Sequence, residues 1–513
     1  MPCLLTMQRP GGRGGLAARG LELLLDRGAV VYLEAGPRVE SIHLANPARV
    51  NVITRGRRRR GFLDVHFRPW RSCPRSPTDL ASLPDRGRAE MLKILREQAT
   101  GLTKDQRNAF IAAYLGWTMD AFDYFLVVLV YSEIADDFHV SLTDMAFLTT
   151  ATLVMRPVGA FLFGMWADRR GRRIPLMVDV AFYSVVGFAC AFAPNYTVLL
   201  VLRLLYGIGM GGEWGLGAAL AMEKIPAEQR GFWSGALQSG YSLGYLLAAV
   251  AFFAIEPAFG WRGLFAFSLV PALVSLWVRN RVEESEVWER SVAVNRTPAY
   301  QVFKAPAVLK RFVYLVALMT AFNWMSHGTQ DVYPTFVKKG LGLSANTSIA
   351  IAVVYNIGAM IGGALLGAVS EKLGRRRTII IAAAGGLVIV PFFVLSTTVG
   401  WLMLSSFLMQ VCVQGAWGVI PAHLTEMSPD AIRGFYPGVT YQLGNLIAAL
   451  NLPLQEAIAK HHGYPAALAW TVVPALALVI TFSAVGKEAR GIRFGSTATQ
   501  PPNAGPATGE TAR

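Results

Sequence analysis

Stretches of about 20 apolar residues recur along this chain from residue 109 to residue 485. Each is long enough for a helix that crosses the hydrocarbon core of a bilayer. Only 16% of the 513 residues are charged, whereas soluble proteins carry roughly 25%. The pattern excludes an ordinary soluble protein and predicts an all-α membrane protein with twelve transmembrane helices. The predicted spans, numbered 1 to 12 in chain order, are residues 109–131, 145–166, 174–193, 197–221, 233–255, 261–278, 311–336, 348–369, 378–397, 399–423, 435–457 and 464–485.

A constant offset of 203 residues relates the first six spans to the last six. Matches in one register indicate a duplicated six-helix unit, an architecture of transporters whose substrate lies near the membrane midplane between two repeats. The matched pairs are Gly164 and Gly367, Asp168 and Glu371, Gly171 and Gly374, Glu223 and Glu426, Pro226 and Pro429, and Arg230 and Arg433. The predicted organisation is a disordered extension over 1–90, bundles over 91–278 and 311–485, a connector over 279–310 and a disordered tail over 486–513.

Lys and Arg residues gather in the turn after span 2, ADRRGRR, and in the turn after span 8, EKLGRRR. The loop between spans 1 and 2 carries four acidic residues and neither Lys nor Arg. Because basic residues concentrate in cytoplasmic loops, both turns and both termini are predicted to face the cytoplasm. The predicted location is the inner (plasma) membrane of a bacterium.

Residues 1–90 hold 16 Arg, no Lys and 8 acidic residues, and so supply +8 of the net charge of +15. This segment has no sustained apolar periodicity and is predicted to be disordered. It lacks the interleaved aromatic residues of a nucleic-acid surface, and no nucleic-acid partner is expected. Contact with anionic membrane lipid stays open. No signal peptide is predicted, and Met91 is an alternative start of the protein.

Ionisable residues inside spans are costly and therefore informative. Asp120 and Asp123 lie three residues apart, on one side of span 1, and Arg156 lies at the middle of span 2. Span 4 contains Arg203 and Glu213. Structural pairing remains an alternative for both residues of span 4. In the same span Gly207, Gly211 and Gly215 are spaced by four, which predicts a close-packed helix face rather than a phosphate loop.

Span 7 carries six polar residues within about half of its circumference. A lone His in a span usually forms a packing hydrogen bond, but here it shares its side of the helix with amide, hydroxyl and carboxyl groups. The combination predicts that this side lines a polar pathway. The residues are Asn323, Ser326, His327, Gln330, Asp331 and Thr335.

The motif GMWADRRGRR after span 2, its echo GAVSEKLGRRR after span 8, and RLLYGIGMGG in span 4 resemble the major facilitator superfamily over residues 109–485. The resemblance implies two six-helix repeats that rock about a central site. It also implies a cytoplasmic latch in which Asp168 lies near the start of a neighbouring helix or against Arg230. The implied gating residues are Asp168, Arg169, Arg172, Arg230, Glu371, Arg375 and Arg433.

The polar series of span 7 resembles the signature Asn-x-x-Ser/Thr-His-x-x-Gln-Asp-x-x-x-Thr of the Jen-type lactate and pyruvate permeases, within the sialate:proton symporter family. The resemblance implies proton coupling and substrate passage at His327 and Asp331. It implies substrate recognition at Arg156 and, in the Gln-x-x-Asn of span 11, at Gln442 and Asn445. The Asp-x-x-Asp of span 1 is also a frequent feature of that family.

Electrostatics favour the same cargo. A guanidinium offers two parallel hydrogen bonds to a carboxylate, and neutral amides suit a hydroxyl or keto oxygen. A co-transported proton cancels the cost of moving an anion against an inside-negative potential. The predicted substrate-binding residues are Arg156, Asn323, His327, Gln330, Gln442 and Asn445. The candidate proton carriers, among which the sequence does not choose, are Asp120, Asp123, Glu213, His327 and Asp331.

The sequence therefore predicts a proton-coupled symporter for short monocarboxylates such as lactate and pyruvate, functional as a monomer. Sialate is the alternative cargo, although sialate permeases tend to have a longer central insertion than this connector of about 32 residues. A carboxylate sensor that does not transport is the alternative class. No enzyme is expected, because the loops show no nucleophile, base and oxyanion set. The four Cys residues show neither pairing nor metal-ligand spacing, and no metal or cofactor is expected.

Overall fold

The computed structural model of the chain describes residues 101–267, 282–294 and 299–495, positions 269 and 273, and five short strands before residue 54. It divides into two units, Met1–Glu90 and Met91–Arg513. In the first unit β1 (Cys3–Leu5) pairs with β4 (Ile42–Leu44), and β2 (Leu21–Leu25) lies between β3 (Val30–Leu33) and β5 (Val50–Ile53). All pairs are antiparallel. The disorder expected over 1–90 stays a prediction, since most of that segment lies outside the described residues.

The described part of the second unit is built of helices and turns. The helices of spans 1 to 5 are Lys104–Leu129, Leu142–Arg170, Arg173–Cys190, Tyr196–Lys224 and Arg230–Phe267. Those of spans 7 to 12 are Pro306–Gln330, Ala345–Leu373, Arg375–Leu395, Val399–Gly418 with Ile420–Met427, Tyr436–Ala448 with Asn451–His462, and Tyr464–Val485. Shorter helical segments are Tyr131–Phe138, Glu286–Val294, Ala299–Phe303, Tyr333–Thr335, Phe336–Gly340 and Asp430–Ile432.

Ten helices in the described ranges are long and apolar enough to cross a membrane. Several predicted spans differ from this simple form. The helix of span 5 continues past a bend at Gly260 to Phe267, so it includes the start of span 6, whose remaining residues lie largely outside the description. Span 11 was predicted as one helix and is instead two, broken between Ala448 and Asn451. Span 7 begins at Pro306, within the predicted connector.

Local signals in the sequence set several helix ends. Thr103 and Gln106 form a reciprocal capping box at the start of span 1, and Ser141 forms one with Asp144 at the start of span 2. Each box satisfies backbone N–H groups that the first helical turn leaves without partners. Spans 2 and 8 both end at a glycine with a positive φ angle, 95° at Gly171 and 94° at Gly374. Such a φ is unfavourable for other residues, which explains why this pair recurs in the repeat.

The helix pairs that join the halves include span 2 with span 11 and span 5 with span 8. Under the 203-residue offset these two pairs are equivalent. Large apolar side chains cover the outer surface of the helices, among them Val185, Phe192 and Val388, each more than 60% exposed. A continuous outer layer of this kind is stable in lipid and not in water.

Glycines permit close helix contact both within and between the halves. A Cβ on Gly207 or Gly211 would lie 2.2 or 1.9 Å from a backbone oxygen of span 2, so the predicted close-packed face of span 4 is confirmed. Between the halves, a Cβ on Gly215 would lie 2.5 Å from the Cα of Gly438 in span 11. These backbones touch because neither residue has a side chain.

Candidate functional site

Arg156 forms a buried ion pair with Asp120 inside the first half. The Arg156 Nη2 atom lies 3.3 Å from Asp120 Oδ2, and the two side chains are 5% and 0% exposed. The Nε of Arg156 has no hydrogen-bond partner among the described residues. A buried guanidinium that uses few of its five donors keeps capacity for a further acceptor. The pair was not itself predicted, although both residues were predicted as site residues.

Two more acidic side chains act on this pair. Asp123 and Glu213 are 5% and 0% exposed, and both interact electrostatically with Asp120. Arg203 stacks on the ring of Tyr206, with its Cζ 4.2 Å from the ring centroid. This contact within one helix favours the structural role that the sequence left open for Arg203.

His327 lies between two polar groups of the second half. Its Nδ1 is 3.1 and 3.2 Å from the carboxylate oxygens of Asp331, and its Nε2 is 3.1 Å from Asn445 Oδ1. Both neighbours are acceptor oxygens, an arrangement that accommodates a cationic imidazole with two donors. The side chains of His327 and Asp331 are 26% and 27% exposed, so the protein does not fully enclose this cluster.

The two clusters share one electrostatic environment across the halves. The charge of Arg156 acts on His327, and both Arg156 and Asp331 act on Tyr124 and Tyr241. The structure therefore brings the predicted recognition residue of span 2 and the predicted proton-coupling residues of span 7 to a common region. They are not turned toward the outer, lipid-facing surface.

The remaining predicted binding residues differ in what they contact. Both polar atoms of the Gln442 side chain are buried without a hydrogen-bond partner among the described residues, which is costly unless a ligand or water satisfies them. Asn323 instead donates to Met319 O of its own helix at 2.8 Å. Gln330 donates to Gln410 Oε1 at 3.1 Å and so belongs to a side-chain network of the second half.

Aromatic side chains from both halves, which were not predicted as site residues, surround the region. Trp214 of span 4 and Tyr441 of span 11 have ring centroids 4.4 Å apart, and Trp117 of span 1 lies 6.3 Å from Trp214. Trp417 of span 10 is 5.8 Å from Tyr441. Tyr441 directly precedes Gln442, and Trp214 directly follows Glu213. Their position beside predicted polar site residues is the sequence signal by which these aromatic residues could have been found.

Asp168 joins the halves at the end of the bundle that carries the turns after spans 2 and 8, here called the arginine face. Its carboxylate accepts hydrogen bonds from Gly434 N at 2.8 Å and Phe435 N at 3.1 Å. These N–H groups precede the first helix of span 11, where a negative charge is favourable. Glu371 makes the equivalent contact, accepting from Gly231 N at the start of span 5. The first predicted alternative for Asp168, the start of a neighbouring helix, is confirmed.

The arginines of this face form a second layer. Arg172 binds Glu223 at 3.2 Å, and Arg375 binds Glu426 at 2.9 Å, each within its own half. Arg230 lies 3.8 Å from Glu426 of the other half, and Arg433 lies 3.7 Å from Glu223. The predicted alternative that Arg230 contacts Asp168 is therefore wrong, because its guanidinium is directed to the second half. Arg169 is exposed.

The sequence matches the model of the Major Facilitator Superfamily over residues 109–352 and again over 316–504. The chain belongs to the major facilitator superfamily. Members of this superfamily are transporters and not enzymes, which confirms that expectation. The solved structure of the proton:xylose symporter XylE, bound to 6-bromo-6-deoxy-D-glucose, has the same fold with a TM-score of 0.63. The match covers 77% of this chain and 98% of the XylE chain, at 19% sequence identity.

Relatives within the superfamily include proteins named for organic acids. The chain is 30% identical over 387 residues to a carboxylic acid transporter protein homolog of Saccharomyces cerevisiae, covering 70% of this chain and 62% of that protein. It is 26% identical over 379 residues to the sialic acid transporter NanX of Escherichia coli, covering 73% of this chain and 93% of that protein. The chain thus spans less than two thirds of the yeast protein but nearly all of NanX.

Proposed function

We propose that this protein is a proton-coupled symporter that takes up a short monocarboxylate, such as lactate or pyruvate, by alternating access. The observation that carries the proposal is the buried Arg156–Asp120 pair, which lies in the same electrostatic environment as His327 and Asp331. Similarity to the yeast carboxylic acid transporter homolog supports an organic acid as cargo.

Arg156 is the proposed anchor for the substrate carboxylate. A guanidinium forms two parallel hydrogen bonds with a carboxylate, and Arg156 is contacted by Asp120 through one nitrogen at 3.3 Å. Gln442 supplies a buried amide whose donor and acceptor suit a hydroxyl or keto oxygen. Asn445 and His327 supply further polar contacts from the second half.

Asp120 is positioned to couple proton binding to anion binding. A substrate carboxylate at Arg156 lies beside a second carboxylate, and two neighbouring negative charges in a buried site repel each other. A proton on Asp120 removes this repulsion and frees the guanidinium for the substrate. Anion and proton then bind best together, and the pair crosses the membrane without net charge. Asp123, Glu213, Asp331 and His327 are the other proposed proton carriers.

The test is uptake of labelled lactate into proteoliposomes with an imposed inward proton gradient. We expect concentrative uptake that a protonophore abolishes, with competition by pyruvate and weaker competition by acetate. Empty liposomes and the Asp120→Asn variant under the same gradient are the controls. Uptake that is insensitive to the gradient would contradict proton coupling, and the absence of uptake of any carboxylate would contradict the whole proposal.

Sialate is the second candidate cargo. The 379 residues aligned with NanX cover 93% of that protein, so this relative has no room for a long central insertion. The length of the connector consequently does not count against sialate. Labelled sialate in the same proteoliposomes separates the two cargos, since a sialate transporter accumulates it in preference to lactate.

The proposed orientation places the arginine face in the cytoplasm, because the basic turns after spans 2 and 8 lie there. In that orientation the structure corresponds to a state closed toward the cytoplasm. The proposed location is a bacterial plasma membrane, where the chain works as a monomer.

A further inference from the structure

Residues 486–495, which follow span 12, cross the arginine face as a non-helical segment with turns at residues 490–491 and 494–495. The tail was predicted to be disordered from residue 486, but these ten residues are described and make defined contacts. Ala489 is 0% exposed and Phe494 is 9% exposed. Residues 496–513 lie outside the described part of the chain.

The segment is attached to the second half at several points. The Glu488 carboxylate accepts hydrogen bonds from Arg375 N at 2.9 Å and Arg376 N at 3.2 Å, at the start of span 9. Further along, Arg490 Nη1 donates to Lys372 O at 2.7 Å. These contacts join residues of one half only and do not depend on the position of the other.

Beyond this attachment the segment reaches the first half. Arg230 Nη1 donates to Ile492 O at 2.6 Å. The ring of Phe494 contacts two guanidinium groups, with the Cζ of Arg230 at 3.6 Å and the Cζ of Arg433 at 3.9 Å from its centroid. Arg230 begins span 5 of the first half, and Arg433 precedes span 11 of the second. One aromatic ring thus contacts a cation from each half.

The connector repeats this attachment in the first half. Glu284 of the connector accepts from Arg172 N at 2.9 Å and Arg173 N at 3.1 Å, as Glu488 does in the second repeat. Trp288 of the connector then donates to Asp168 O within the first half. The tail segment makes the same kind of cap at the start of span 9, and through Ile492 and Phe494 it also contacts Arg230 of the first half.

We propose that residues 486–495 form a strap that stabilises the state closed at the arginine face and is released each time this face opens. The contacts of Phe494 with Arg230 and Arg433 exist together only while the two halves approach each other here. When the halves separate, at least one cation–π contact and the hydrogen bond to Ile492 O are broken. The strap therefore sets the balance between the two access states without touching the central site.

The experiment measures the distance between the halves in the full-length chain. Spin labels are placed through Arg170→Cys and Arg377→Cys, two exposed positions on the turns of the first and second half, after Cys3, Cys73, Cys190 and Cys412 are replaced by Ser. Pulsed electron paramagnetic resonance then gives the populations of short and long distances. No substrate is added, so the result does not depend on the identity of the cargo.

We expect Phe494→Ala to lower the ratio of short to long distances roughly tenfold, since it removes two cation–π contacts. Phe494→Tyr keeps the aromatic face and is expected to retain the parent distribution. The matched control is Ile492→Ala, which truncates an exposed side chain of the same segment and keeps the backbone acceptor. The proposal is overturned if Phe494→Ala leaves the distribution unchanged, or if Ile492→Ala shifts it as much as Phe494→Ala does.

Discussion

The arginine face and the central region differ in how they use the repeat. At the arginine face Asp168 caps span 11 of the second half, and Glu371 caps span 5 of the first. Arg172 with Glu223 and Arg375 with Glu426 repeat a second contact at the same offset. Each half thus presents the same latch to its partner.

The central region does not follow this symmetry. At the offset of 203 residues Arg156 corresponds to Ala359, and His327 corresponds to Tyr124. The cation thus lies in the first half and the His–Asp pair in the second. The ends of the two halves that close against each other can carry equivalent residues. An asymmetric substrate, in contrast, needs different groups on its two sides. The repeat therefore persists where the halves meet and is lost where chemistry is expected.

The largest effect is expected for Arg156→Lys in the central region. A point charge replaces a planar group that makes parallel hydrogen bonds, and charged hydrogen bonds contribute about 1.5–3 kcal/mol. Apparent affinity for lactate should fall about 10- to 100-fold by proteoliposome uptake. Arg170→Lys, an exposed change at the end of the same helix, is the control. Equal loss in both variants would indicate a general effect of the helix and not of the site.

A smaller effect, confined to the pH response, is expected for the polar groups around the central region. His327→Ala and Asp123→Asn should each abolish most of the stimulation of uptake by an acidic exterior, about a tenfold response per pH unit for one coupled proton. Uptake is measured at fixed inner pH over a series of outer pH values. If both variants keep the parent pH profile, neither residue carries the proton.

The latch should respond equally to changes on its two sides. Asp168→Asn and Glu371→Gln each remove a charge from a helix start, an interaction of up to about 2 kcal/mol in buried sites. We expect each to shift the spin-label distances toward opening by about fivefold, with similar magnitude. A large shift for one and none for the other would break the symmetry argued above.

The smallest effect is expected for an ion pair that has no counterpart in the repeat. Asp137 pairs with Arg262 between spans, and both side chains are 42% exposed. The hydrogen bond from Arg262 holds the pKa of Asp137 below its ordinary value. The pair therefore stabilises the fold above the unfolded-state pKa near 4, and this contribution is lost as pH falls through the lower folded-state pKa.

Asp137→Asn should lower stability near pH 7 by less than about 1 kcal/mol, since solvent screens such pairs. Thermal unfolding of the purified protein at pH 7 measures the change, with Asp136→Asn as a charge-matched control one residue away. Uptake should remain at the parent level. A marked loss of uptake would extend the functional region to this side of the molecule.

Much of this architecture was predictable because lipid restricts a chain so strongly. Apolar length predicts the spans, and the offset predicts that Asp168 and Glu371 play equivalent parts. Arg156 and His327 were predictable because an ionisable group in a span must face the interior of the bundle. The sequence does not fix the rotation of each helix, so it did not predict that Asp120 pairs with Arg156.

Other features depend on contacts between segments distant in sequence. The break in span 11 adjoins Gln455, which donates to Gly328 O of span 7 and to Thr471 of span 12. The residues around the break contain no sequence pattern that predicts such a hydrogen bond. Phe494 likewise lies in a polar tail whose composition predicts disorder. Its position depends on contacts with Arg230 and Arg433, which are distant from it in sequence.

Glycine contacts between the halves have a consequence for turnover. At Gly215 with Gly438, bare backbone meets bare backbone, so this contact exposes little hydrocarbon to water when the halves part. Because the hydrophobic free-energy penalty scales with the apolar area exposed to water, separation at this contact costs little free energy. The glycine pair therefore adds little resistance to each opening of the halves, unlike the carboxylate caps of the arginine face.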